Sequence, residues 1–180
     1  MSPPHPTQPK SWSKTITSTT TDTTTSTYTV STDPSLIPLD SLSAAFNSDF
    51  IYWSKPLTHS QLQTLVQNSL CLGLYDEQSS LVGFARLITD HITFAYLTDV
   101  YVLPSHQGKG LARFMMACLD EIVSGWDEHL RRLLLFTRDE EAAKLYQHTL
   151  GAKDVRETGT GKLICMERVG GGNTFEAPDH

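Results

Sequence analysis

The stretch that most restricts the fold is residues 94–123, FAYLTDVYVLPSHQGKGLARFMMACLDEIV. Its first part, up to Leu103, is almost wholly apolar or β-branched, which predicts a strand buried on both faces and therefore central in its sheet. Pro104 ends it. After the turn, Leu111, Phe114, Met115, Cys118, Leu119 and Ile122 recur at helical spacing, predicting a helix over 108–124 with that stripe packed in a core. Between the two lies Gln107-Gly108-Lys109-Gly110-Leu111-Ala112. Glycine lets the backbone turn tightly and approach a ligand. The first turn of the helix then offers unpaired N–H groups and the positive end of its dipole, a setting that suits a phosphate or pyrophosphate, and Lys109 adds charge. Spacing alone leaves an ordinary glycine turn equally open. Two nucleotide motifs fit poorly. A P-loop needs Ser or Thr after the lysine, where Gly110 stands, and a dinucleotide fingerprint wants Gly or Ala where Arg113 stands.

The rest of the chain places this unit in a mixed fold. Residues 1–26 are mostly Pro, Ser and Thr, too poor in apolar side chains to offset their ordering entropy, and are expected to form a disordered tail. TYTVST at its end has β-formers suited to a first strand. Leu39, Leu42, Ala45 and Phe46 keep helical spacing, as do Leu62, Leu65 and Val66 after a capping Thr58 or Ser60. LCLGLY and LVGFARLIT, separated by DEQSS, read as an antiparallel hairpin. RRLLLFT predicts another strand. DEEAAKLYQHTL predicts a helix begun by acids that suit its dipole and stopped by Gly151. DVRE and KLICMERV predict a closing hairpin, and residues 169–180 a flexible tail. The expected class is α+β, with a mostly antiparallel sheet, one parallel crossover and about four helices, in a single domain over 27–168.

Composition excludes some partners. A formal charge of −6 argues against nucleic acid, whose phosphates need a basic face, and is compatible with a cationic substrate. No apolar run reaches the length of a membrane span, so no membrane partner is expected. The N-terminus lacks the apolar centre of a signal peptide, which makes the cytoplasm the default location. Cys71, Cys118 and Cys165 are far apart, each inside an apolar pattern, and are expected as buried free thiols. Neither they nor the scattered histidines have metal-ligand spacing, so no metal is expected.

The residues VYVLPSHQGKGLARFMMACLDEI, with LVGFARL before them and LLLFTRDEEAAKLYQHTLGAKDV after, resemble the GNAT N-acetyltransferase superfamily over roughly residues 27–168. The resemblance implies a sheet in which the central strand and the next one splay apart, with acetyl-CoA as cosubstrate in the gap. It implies that backbone groups of Val100, Tyr101 and Val102 align the pantetheine arm. A main-chain N–H near Val100 would polarise the thioester carbonyl. Backbone N–H groups of Gln107, Gly108, Lys109, Gly110, Leu111 and Ala112 would cradle the pyrophosphate. Thr137 stands near the position where the family often has an asparagine contacting CoA. The acceptor would be a primary amine, of a small molecule or of a peptide or protein, acetylated directly in a ternary complex. A homodimer is common in the family.

The reaction moves two protons. An alkylamine must lose one before it attacks, and the CoA thiolate must gain one as it leaves. Tyr146 matches the family position for the acid, against the bland reading of a tyrosine packed beside Leu145 and Leu150. Asp99, inside the apolar central strand two residues before Tyr101, is the first choice for the base, because a carboxylate there needs a partner or a task. A structural ion pair or a strand-bulge anchor is the alternative. Asp90 and His91 are second choices, and water chains replace a single base in many such enzymes. Arg138 reads as a partner for Asp139 or a CoA phosphate. Phe50, Tyr52 and Trp53 suit an aromatic wall for the amine. A non-catalytic acyl-CoA-binding module of the same fold is the competing function.

Overall fold

A computed structural model describes residues 8–18, 24–51, 55–126 and 128–157, together with Met166 and Arg168. Six strands form one sheet in chain order: β1 (Ser11–Ser18), β2 (Thr24–Ser31), β3 (Leu70–Tyr75), β4 (Leu81–Thr89), β5 (Phe94–Val102) and β6 (Arg132–Leu135). Neighbours pair antiparallel except β5 and β6, which are parallel. The helices are α1 (Leu39–Phe46), α2 (His59–Gln67), α3 (Leu111–Ser124) and α4 (Glu140–Leu150). The parallel pair β5–β6, the one such pair among the described residues, is joined by α3, as a strand–helix–strand crossover requires.

Two apolar layers cover the sheet. On one face, Leu72, Leu74, Ala85, Leu87, Ala95, Leu97 and Val102 pack against the α3 stripe Leu111, Met115, Met116 and Leu119 and against Tyr146 of α4. On the other, Cys71, Tyr75, Leu81, Phe84 and Tyr101 pack against Leu42 and Phe46 of α1 and Leu62 and Val66 of α2. Thr58 caps α2 in a reciprocal box with Gln61, which satisfies two otherwise orphaned donors.

Three local expectations are corrected. Ser11–Ser18 is strand β1 and not disordered tail. Its even positions Trp12, Lys14 and Ile16 turn toward α3, while Ser13 and Thr15 hydroxyls pair across the strand with Thr29 and Thr27. Trp12 Nε1 donates to Glu121 of α3 at 2.7 Å, so the strand is held by pairing and by one long-range anchor despite its Ser/Thr content. The helix expected from residue 108 begins at Leu111, because Gly108 and Gly110 lie at φ +76 and +70, outside the helical region. The strand expected at DVRE is a short 3₁₀ turn, Val155–Glu157. Asp154 bends the chain there by accepting from the Arg156 N–H at 2.9 Å and gripping its guanidinium. The expected KLICMERV strand (apart from Met166 and Arg168), Cys165, Tyr52, Trp53 and the tail at 169–180 lie outside the described residues.

Candidate active site

Pairing between β5 and β6 stops at Leu97 and Leu135, yet β5 runs on to Val102. Because β6 itself ends at Leu135, the edge of β5 beyond Leu97 has no strand partner on that side among the described residues, which leaves a gap beside its last residues. At the mouth of the gap lies a cavity of about 290 Å³, lined by Val102, His106, Gln107, Gly108, Gly110, Leu111, Ala112, Arg113 and Leu145. The glycine turn, the start of α3 and α4 therefore meet at one opening.

The turn is shaped for close approach. An added Cβ on Gly108 would find nothing within 4 Å, and both glycines occupy the left-handed region. Gln107 Nε2 donates to Val102 O at 2.9 Å, tying the turn to the end of β5. The N–H of Phe114 is the first in α3 to reach a carbonyl of the turn, that of Gly110 at 3.1 Å. The N–H groups ahead of it, on Leu111, Ala112 and Arg113, are the ones a helix start leaves for a ligand. These features fit a diphosphate. Lys109, expected beside the phosphates, instead reaches across to β2, where its Nζ contacts the Tyr28 hydroxyl at 3.2 Å.

Within β5, the register jumps from Arg86↔Thr98 to Phe84↔Tyr101, so Asp99 and Val100 together face one residue of β4. Asp99 lies at φ +53, a left-handed conformation that aspartate tolerates better than most side chains. Its Oδ2 accepts from Arg86 Nε at 2.7 Å and NH2 at 2.6 Å, and its Oδ1 has the Thr98 hydroxyl at 3.4 Å. The bulge resets the alternation of β5: Leu97 and Val102 face α3, and Tyr101 faces α1 and α2. Tyr101 sits among Phe46, Phe50 and Phe84 at centroid distances of 6.5, 5.9 and 6.2 Å. Burial, and then the Asp99 charge, push its phenol upward.

Tyr146 is 8% exposed within the α3–α4 layer, adjacent in sequence to the cavity-lining Leu145. Burial first, and the charge of Asp139 second, push its phenol up to about 12. It therefore holds its proton at neutral pH, and it packs in the core and is not among the residues that line the cavity. Thr137 is exposed, and its hydroxyl takes the Asp139 N–H at 3.1 Å, shaping the entry to α4, which Asp139 caps through the N–H groups of Glu141 and Ala142.

The second-choice bases are used otherwise. The Asp90 carboxylate accepts from the N–H groups of Ile92, Thr93 and Phe94 and from the Thr93 hydroxyl, and these bonds hold it well below the usual carboxylate range. His91, at φ +62, stacks edge-on against Trp126 at 5.6 Å. Among the described residues, no group of three or more His, Cys, Asp or Glu is arranged for a metal ion, and no helix is long and apolar enough to cross a membrane.

Residues 39–152 match the acetyltransferase (GNAT) family. The chain belongs to that family. A Gibberella zeae protein named as an acetyltransferase is 38% identical over 182 residues, covering 92% of this chain and 95% of that one. A crystal structure of a Xanthomonas campestris protein, described as an acetyltransferase belonging to the GNAT family, superposes with TM-score 0.63 at 34% identity. It covers 81% of this chain and 94% of its own. The spermidine N-acetyltransferase of Vibrio cholerae, solved with CoA and spermine, shares the fold with TM-score 0.51 at 21% identity, over 62% of this chain and 73% of that one. This GNAT protein is thus an acetyltransferase whose mixed sheet and crossover helix follow the family architecture.

Proposed function

We propose that the protein transfers the acetyl group of acetyl-CoA directly to a primary amine in a ternary complex. The observation that carries this reading is the unpaired end of β5 beyond Leu97, beside a cavity lined by the first turn of α3 and the two left-handed glycines ahead of it. Backbone groups of Val100, Tyr101 and Val102 line the free edge for the pantetheine arm, and the N–H groups from Gly108 to Ala112 face the diphosphate; the N–H of Gln107, expected among them, is taken by the Pro104 carbonyl at 3.3 Å. When bound, acetyl-CoA supplies an activated thioester. A main-chain N–H near Val100 stabilises the charge that gathers on its carbonyl oxygen.

Tyr146 holds the proton that the departing thiolate takes up. The amine's proton is a different matter. Asp99 is engaged by Arg86 at both Nε and NH2, which makes it a positioning residue for the bulge. Asp90 is spent on its turn. In this reading the amine gives its proton to solvent before it attacks, so the reactive fraction of amine rises with pH.

The assay is thiol release from acetyl-CoA with a panel of primary amines. Polyamines belong in the panel because the Vibrio cholerae protein is a spermidine N-acetyltransferase and because this chain carries a net charge of −6. Amine-dependent release with a matching acetylamide establishes the reading. CoA binding without release by any amine would leave a binding module of the same fold.

A further inference from the structure

The β1–β2 hairpin reaches the glycine turn at two points. Lys14 on β1 and Tyr28 on β2 are register partners. Lys14 Nζ lies 3.9 Å from where a Cβ on Gly110 would stand and 5.8 Å from the centre of the Phe114 ring. Tyr28, almost fully buried, brings its hydroxyl to Lys109 Nζ at 3.2 Å and to His106 Nδ1 at 3.2 Å. The Lys14 ammonium therefore stands at the positive end of α3, while that of Lys109 is turned to Tyr28 on β2.

Charge matching fails at this spot and holds next to it. Lys10, just ahead of β1, pairs with Glu121 of α3 at 3.6 Å, and Trp12 donates to that same carboxylate. Neither Lys14 nor Lys109 has an ion-pair carboxylate among the described residues. A chain with 20 acidic and 14 basic residues thus leaves two cations uncompensated, one of them against a helix end that is itself positive. That arrangement is unfavourable until an anion joins it.

We propose that Lys14 is a phosphate-binding residue of the carrier site: its ammonium neutralises a phosphoryl group of CoA seated at the start of α3. The N-terminal hairpin, which precedes the segment 39–152 that matches the family, is then part of the cosubstrate site. This inference rests on the carrier reading above, and the test separates the two.

The test is titration calorimetry on the full chain with CoA, dephospho-CoA and pantetheine, for wild type, Lys14→Met and Lys14→Arg. Lys14→Met keeps the alkyl stem on Phe114 and removes only the charge. Loss of one charge-assisted contact is expected to weaken CoA binding about tenfold, with pantetheine unaffected and Lys14→Arg close to wild type. Wild-type affinity also falls more steeply with added salt than that of Lys14→Met. If the deficit disappears with dephospho-CoA, Lys14 holds the 3′-phosphate; if it persists, Lys14 holds the diphosphate. Both outcomes support the inference. Unchanged CoA affinity in Lys14→Met, or an equal loss for pantetheine, overturns it. Lys14→Gln serves as a second charge-removing variant should the melting temperature of Lys14→Met fall. Wild-type protein that takes up no CoA at all defeats the carrier reading itself.

Discussion

Arg86 and Asp99 face each other across β4 and β5, the guanidinium donating from both Nε and NH2 to one carboxylate oxygen, at 2.7 and 2.6 Å. The side chains are only 16% and 10% exposed. The pair sits where β5 takes its extra residue, so it fixes the point at which the strand flips Tyr101 toward α1 and α2. An ion pair and a left-handed residue together hold a local conformation that costs on the order of 1–3 kcal/mol to maintain.

Asp99→Asn leaves Arg86 without a countercharge. Breaking such a pair from one side costs about 3–5 kcal/mol, to be read as a lowered denaturation midpoint in urea. The kcat of the folded fraction is expected to fall less than about tenfold if, as proposed, Asp99 holds the bulge and the amine loses its proton to solvent. A loss of about 10²-fold or more, with the rising limb of the pH profile gone, would restore Asp99 as the base.

Tyr146→Phe tests the acid. Removing a general acid lowers kcat by about 10²-fold or more, while the affinity for CoA, measured by calorimetry, stays within about twofold. The sign of the pH dependence follows from two protons. The amine attacks only when neutral, so kcat/KM rises toward the amine's own pKa of about 10. The phenol donates only while protonated, and it stays so up to about 12. Wild-type activity therefore rises through pH 9 without a falling limb. A bell centred near neutrality would mean that another group gives or takes the proton.

The central unit was legible because its signals are local and strong. An apolar run, a proline, two glycines and a helical stripe fixed β5, the turn and α3 to within a few residues. β1 was hidden by composition: its period-two pattern of Trp12, Lys14 and Ile16 is there, but serines and threonines between them read as a disordered tail. With it went Lys14, Tyr28 and His106, whose meeting at the turn depends on the β1–β2 register. Asp99 showed that a carboxylate inside an apolar strand needs a partner. That the partner is Arg86 comes from cross-strand register, which residue spacing along one strand does not encode. The end of β5–β6 pairing at Leu97 and Leu135 leaves no mark in residue spacing, and an opening there was expected only through family resemblance.

Alkaline pH should unfold the protein earlier than its neutral stability suggests. Burial raises Cys71 and Cys118 from 9.0 to about 12, and Tyr146 from 10.0 to about 12, and also raises Tyr75 and Tyr101. In each case the folded chain keeps a proton that the unfolded chain gives up. This contribution is whole below about pH 9 and is lost as pH climbs toward the folded values. Urea midpoints are expected to hold between pH 7 and about 8.5 and then fall steadily to pH 10.5. A midpoint that stays level across that upper range would show that these groups titrate as exposed ones.

Two glycines on either side of the site separate crowding from conformational strain. A Cβ on Gly83 would stand 2.9 Å from the carbonyl oxygen of Tyr101 and 2.9 Å from Leu74 Cδ2. The leucine can turn aside; the carbonyl belongs to β5 just past the bulge and moves only with the strand. Gly83→Ala is therefore expected to cost about 1–3 kcal/mol and, by shifting β5 at the unpaired edge, to raise the KM for acetyl-CoA. Gly108→Ala meets nothing within 4 Å but must hold φ +76, for which about 1 kcal/mol is expected. Urea denaturation of the two variants gives the order. If Gly108→Ala proves the more costly, backbone conformation at the turn outweighs the approach of β4 to β5, and the strands are looser at that point than the 2.9 Å contact requires.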